Sequence, residues 1–167
     1  MPGESSLFER FLSTDQDRTL LFQRVVLGVV IFPHGAQKLL GWFGGPGFSD
    51  TMGFFTDTMH FPAPLAFLII IAESLGALGL ILGLGTRLAA LGIAAVMVGA
   101  VLTSHMSFGF FMNWFGAQKG EGFEYHLLAL ALAMPLLVRG GGLLSMDGAL
   151  VERLRSGSAS VPRPSRT

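Results

Sequence analysis

A single carboxylate, Glu73, interrupts the long apolar run HFPAPLAFLIIIAESLGALGLILGLGTR. An ionised carboxylate removed from water costs several kcal/mol unless it is paired, protonated or hydrated, so Glu73 must face other protein groups rather than hydrocarbon. Two roles are open to it: a specificity-giving ion pair or protonated donor, or a group that anchors a polar ligand and relays protons. In the apolar run before it, His34 and Lys38 stand four residues apart and therefore share one helix face. Farther along, His105 precedes a clustered Glu124, Tyr125 and His126. Imidazole and carboxyl groups move protons near neutral pH, and Lys and Tyr hold polar head groups. The candidates for reaction chemistry are Glu73, His34 and Lys38. Arg24, His34, Lys38, Glu73, Arg87, His105, Glu124, Tyr125 and His126 are the candidates for holding a ligand or cofactor.

Cysteine is absent, which removes disulfides, thiol nucleophiles and thiolate metal sites. Redox chemistry would then need a bound quinone, haem or flavin, or a partner protein. His34 and His126 come near the matched depth that axial haem ligands need, but nothing else in the sequence favours haem, and no metal site is expected. HExxH, GxSxG and phosphate-loop motifs are missing, as is a basic, aromatic nucleic-acid surface.

The elements that must position these residues follow from composition. Apolar residues make up 51% of 167 residues against 13% charged, and mean hydropathy is +0.60. The apolar residues form four blocks near the roughly 20-residue length that crosses a bilayer, and backbone groups in lipid must pair internally, so the blocks are helices. The spacing predicts an all-α chain, an integral membrane four-helix bundle with spans at about 20–40, 61–83, 87–108 and 123–138. Residues 1–19 form a polar N-terminal segment able to lay one amphipathic turn on the membrane, 20–150 the helical domain, and 151–167 a disordered basic tail. Pro33 lies inside the first span, where it weakens the bond to the Val29 carbonyl and predicts a bend below His34. The segment between the first two spans is rich in Gly and Phe and lacks Lys and Arg, so a half-buried cap at the interface is expected, with Trp42 in the aromatic belt.

Charge sets the topology. With the termini and the 84–87 turn on one side, that side holds nine arginines, and only Lys38 and Lys119 lie on the other. Both termini are therefore expected in the cytoplasm. All four histidines, His60 included, then fall toward the outer side. At the inner ends, Arg24 and Arg87 either snorkel to phosphates or reach toward Glu73. Small residues such as Gly76, Gly79, Ala90 and Ala94 allow close helix packing, and a homodimer is compatible with such faces.

The run RVVLGVVIFPHGAQKLLGWFGGPG from Arg24 to Gly47, the intramembrane Glu73 with its GLGTR turn, the GFEYHLL stretch and the SMD at 145–147 together resemble the DoxX family of small bacterial membrane proteins. The resemblance covers about residues 20–148. It implies a four-helix membrane bundle in the bacterial inner (cytoplasmic) membrane and association with quinone-linked redox systems, with quinone as the implied cofactor and a soluble or membrane redox protein as partner beside the lipid bilayer. Carried over residue by residue, the family's recurring polar positions fall on Arg24, His34, Gly35, Lys38, Gly44, Gly45, Glu73, Arg87, Glu124, Tyr125 and Asp147. A non-catalytic carrier of a lipid-like or anionic molecule, or a scaffold for a soluble redox enzyme, is the competing expectation.

Overall fold

The computed structural model describes residues 7–159, the last three by backbone alone, and every regular element among them is helical. Helix α1 spans Leu7–Leu12 and α2 spans Arg18–Leu40. Asp17 caps α2, its carboxylate accepting from the Thr19 amide at 2.7 Å. At the other end Gly41 takes a left-handed φ of 72° and returns its N–H to the Ala36 carbonyl, a conformation that costs any residue with a Cβ. Pro33 sits inside α2, which runs on unbroken to Leu40.

A short turn at Trp42–Gly44 leads to α3, Gly47–Gly53, prolonged by a widened turn over Phe54–Thr58. The segment expected to be a half-buried cap is thus largely helical, and Trp42 is exposed on it. Helix α4 then runs over Ala63–Leu82 and α5 over Thr86–Phe108. Pro62 and Pro64 open α4, where a missing N–H costs nothing. Helix α6 covers Glu124–Arg139 and α7 covers Met146–Ala159. The last of these corrects the expectation of a disordered tail: residues 151–159 are helical, Val151 is buried, and residues 160–167 lie outside the described part. The expected amphipathic turn in the N-terminal segment corresponds to α1, which packs against α7.

Helices α2, α4 and α5 are each long and apolar enough to cross a membrane. Helix α2 packs against α4 and α6, and α5 packs against the same two. Between them lies an apolar core that includes Leu27, Ile31, Leu80, Ile93, Met97, Ala133 and Leu136. Glycine lets α2 and α4 touch at backbone distance, because a Cβ at Gly28 would sit 2.8 Å from the Ala77 carbonyl oxygen. Gly92 of α5 faces Ala72 of α4 less tightly, where a Cβ would sit 3.2 Å from the Ala72 methyl.

Candidate functional site

Glu73 owes its position to a local departure from α-helix. Helix α4 widens into a π-turn over Ala72–Gly76, the kind of insertion that turns a side chain out of helical register. The Ser74 hydroxyl donates to the Ile70 carbonyl beside this turn. On the facing helix, Gly35 makes the contact possible, since a Cβ there would overlap the backbone of Glu73 and Ser74. Three residues farther along α2, Lys38 reaches the carboxylate, with Nζ 2.5 Å from Oε2. The Glu73 side chain is 8% exposed and that of Lys38 26%, so the pair forms at the edge of the buried volume. Oε2 is balanced by the lysine charge but receives no hydrogen bond of ordinary geometry.

Helix α6 closes the group from the other side. The Tyr125 ring lies 6.1 Å from the His34 ring, and the His126 ring 5.5 Å from Tyr125. His105 comes from a second π-turn, Val101–His105 in α5, and its ring is 4.2 Å from that of His126. Nδ1 of His105 donates to the Glu121 carbonyl at 2.8 Å, which leaves Nε2 as the acceptor of the neutral ring.

Two polar atoms here are buried without hydrogen-bond partners, the Tyr125 hydroxyl and His126 Nδ1. The Phe123 carbonyl acts on the His126 ring without completing a well-formed bond to Nδ1. A buried hydroxyl left unmatched costs about 1–3 kcal/mol, a condition Tyr125 shares with Thr51 and Thr86 elsewhere in the molecule. Lysine and tyrosine donors, a carboxylate and two imidazoles converge there. Such a set can orient a small planar head group by hydrogen bonds and hold or release protons at its edge.

Not every candidate joins this group. Glu124 faces the outer loop, where Oε1 accepts from the Met112 amide at 2.9 Å and from Trp114 Nε1 at 3.2 Å. His60 is exposed before α4. Arg24 lies about 15 Å along α2 from His34 by helical rise. Its guanidinium is buried and donates to the carbonyls of Leu80, Ile81, Gly141, Leu143 and Leu144 over 2.6–3.3 Å. Arg87 donates to the carbonyls of Leu137, Val138 and Ser13. Neither arginine reaches toward Glu73; both close helix ends that would otherwise leave carbonyls unpaired.

Asp147 has a role that sequence reasoning missed. Its carboxylate accepts from the Gly85 amide at 2.8 Å and the Thr86 amide at 2.9 Å, capping α5 from a distant part of the chain. The available signal was negative: α5 opens on Gly85, which has no side chain to cap it, so a remote acceptor was required.

The family model for DoxX matches residues 19–106, the stretch that carries His34, Lys38 and Glu73 and stops before Tyr125 and His126. Putative oxidoreductase CatD of Bacillus subtilis (strain 168) is 26% identical over 141 residues, which cover 84% of this chain and 93% of that protein. No solved structure gives a significant match.

Proposed function

The chain is a multi-pass membrane protein of the DoxX family, and on that footing we propose that it is the membrane component of a quinone-linked oxidoreductase system of the bacterial inner membrane. In this reading α6 is a fourth, shorter crossing beside α2, α4 and α5. The four form a bundle with both termini in the cytoplasm, an orientation supported by the nine arginines it gathers on that side. The Glu73 group then lies in the outer half of the bilayer. The observation that carries the proposal is the buried, unpartnered Tyr125 hydroxyl beside the Lys38 and Glu73 pair.

These residues fit a quinone head. Tyr125 and Lys38 are hydrogen-bond donors for its oxygens, and the aliphatic walls of α2 and α6 suit its ring. A bound quinone supplies two-electron, two-proton redox chemistry. The chain's own part is to orient and to handle protons. Lys38 holds positive charge against the bound oxygen, Tyr125 fixes its direction, and Glu73 accepts or releases a proton at a carboxylate oxygen while His34 adjusts the local charge. Electrons come from a partner protein in this scheme, since the sequence contains no thiol to carry them. The oxidoreductase name borne by CatD supports the same class of role.

The test is mass analysis of organic extracts, with absorption spectra, of protein purified in mild detergent as wild type and as Glu73→Gln. The expected result is copurifying quinone in near-stoichiometric amount that a donor reduces, and its depletion in a variant that still folds. A preparation without quinone whose spectrum does not respond to added quinone would replace this reading with that of a carrier or scaffold.

A further inference from the structure

The four helix seams are not equally closed. Between α2 and α4, Gly28 and Gly35 bring the backbones together, and a side chain at either position would collide with the opposite helix. Gly92 and Ala72 close α4 on α5. Ala90, Ala94 and Met97 of α5 and Ala129 and Ala133 of α6 all belong to the buried core between those helices. At the depth of the site, the seam between α2 and α6 is spanned by the rings of His34 and Tyr125, whose centroids stand 6.1 Å apart.

On its bilayer side that seam joins an exposed polar ring to exposed apolar residues. His34 is exposed although it sits beside the buried Glu73. One turn inward on the same face of α2, Val30 is 43% exposed, and one turn inward from Tyr125 on α6, Leu128 is 67% exposed. Polar side chains thus continue directly into an apolar, bilayer-facing strip. The loop over residues 109–124, by contrast, is tied to itself. The Phe123 amide donates to the Gly109 carbonyl at 3.2 Å, the Glu124 amide to Phe110 at 2.9 Å, and the Asn113 amide to Glu121 Oε2 at 2.7 Å. Together with the Trp114 bond to Glu124, these contacts hold residues 109–124 as a closed strap.

We propose that the ligand enters sideways from the bilayer between α2 and α6, its polar head reaching Tyr125 and Glu73 and its apolar chain lying along Val30 and Leu128. The ligand class is an amphiphile with a small, flat, hydrogen-bonding head and a long hydrocarbon tail. This deepens the quinone reading and rests on it. It excludes a water-borne substrate arriving through the outer loops. The gate is the His34 and Tyr125 ring contact, which a rotamer change of either residue would widen.

The experiment uses the full chain in phospholipid vesicles and a benzoquinone bearing a decyl chain that ends in a photoreactive diazirine. A matched probe with an alcohol head in place of the quinone reports unspecific lipid-face contact. After irradiation, adducts are mapped by peptide mass analysis. Quinone-probe adducts concentrated on Val30, His34 and Leu128 are expected, with the alcohol probe spread around the lipid-facing surface. Tyr125→Phe lowers seam labelling about tenfold, the loss of one buried hydrogen bond. Val30→Trp, at a lipid-facing position that tolerates bulk, lowers it independently should Tyr125→Phe fold poorly. Adducts on the outer loops, or a quinone probe distributed like the alcohol probe, would overturn the proposal. Labelling needs no electron transfer, so the two readings separate. Seam labelling without quinone-dependent redox response leaves the portal standing and removes the oxidoreductase reading, and redox activity with no seam labelling does the reverse.

Discussion

The two ends of the helical assembly use their buried charged groups differently. At the end that holds Arg24, each guanidinium nitrogen of that residue finds a backbone carbonyl, Asp147 caps α5 with both of its oxygens, and Arg87 closes the end of α6. At the end that holds Glu73, the carboxylate has a charge partner, but the Tyr125 hydroxyl and His126 Nδ1 have none. Gln23 Oε1, Thr86 Oγ1 and Arg87 Nε are also buried without partners at the first end, so the contrast lies in what the charged groups meet: backbone carbonyls and amides there, one another here. The difference separates residues that hold the fold from residues that use it, although both sets are polar residues in an apolar chain.

Substitutions at the two ends test that separation. The largest effect is expected from Arg24→Met, which takes a donor away from five carbonyls and costs on the order of 3–5 kcal/mol, read as a large fall in the thermal unfolding midpoint in detergent. Arg24→Lys does not restore it, because an ammonium cannot reproduce the planar fork. Gly35→Ala comes next. Driving a methyl into the Glu73 backbone costs about 1–3 kcal/mol and displaces the carboxylate, so stability and quinone retention fall together. Asp147→Asn removes the charged cap of α5 and costs about 1 kcal/mol with no change in ligand retention. Tyr125→Phe reverses that pattern, leaving stability within about 1 kcal/mol of wild type or above it while retention falls about tenfold. A large destabilisation by Tyr125→Phe would erase the contrast between the two ends.

The smallest effect is a pH response at the N-terminal entry to α2. The Thr19 amide, followed by other contacts including Arg139, holds the exposed Asp17 carboxyl below its ordinary value of 3.8. A group whose folded pKa is depressed contributes stability that is present above the unfolded value and is lost as pH falls through the folded one. Acid unfolding curves of wild type and Asp17→Asn should therefore differ above pH 4 and converge below that lowered value.

Span positions were legible because bilayer thickness and backbone pairing leave little freedom. The expected 20–40, 61–83 and 87–108 coincide with Arg18–Leu40, Ala63–Leu82 and Thr86–Phe108, helices long and apolar enough to cross, while 123–138 coincides with a shorter helix, Glu124–Arg139. The pairing of Glu73 with Lys38 was less legible. Residue types and depth pointed to both, but the π-turn that aims the carboxylate comes from packing against Gly35 and leaves no periodic signal. Arg24 and Arg87 were read as snorkelling or ligand-directed, because a helix end awaiting a donor is invisible until the fold brings it near. Residues 151–159 were read as tail for the same reason, their Ser and Arg content outweighing Met146, Leu150 and Leu154 at helical spacing.

Arg24 also bears on how the chain is made. Its carbonyl partners come 56 and 57 residues later, at Leu80 and Ile81, and 117 to 120 residues later, at Gly141, Leu143 and Leu144. During synthesis the first helix therefore enters the membrane with a cation that nothing yet matches. Two of its five partners arrive with α4, and the other three only after nearly the whole chain has been made. A product ending before Gly141 therefore leaves Arg24 of α2 with two of its five carbonyl partners.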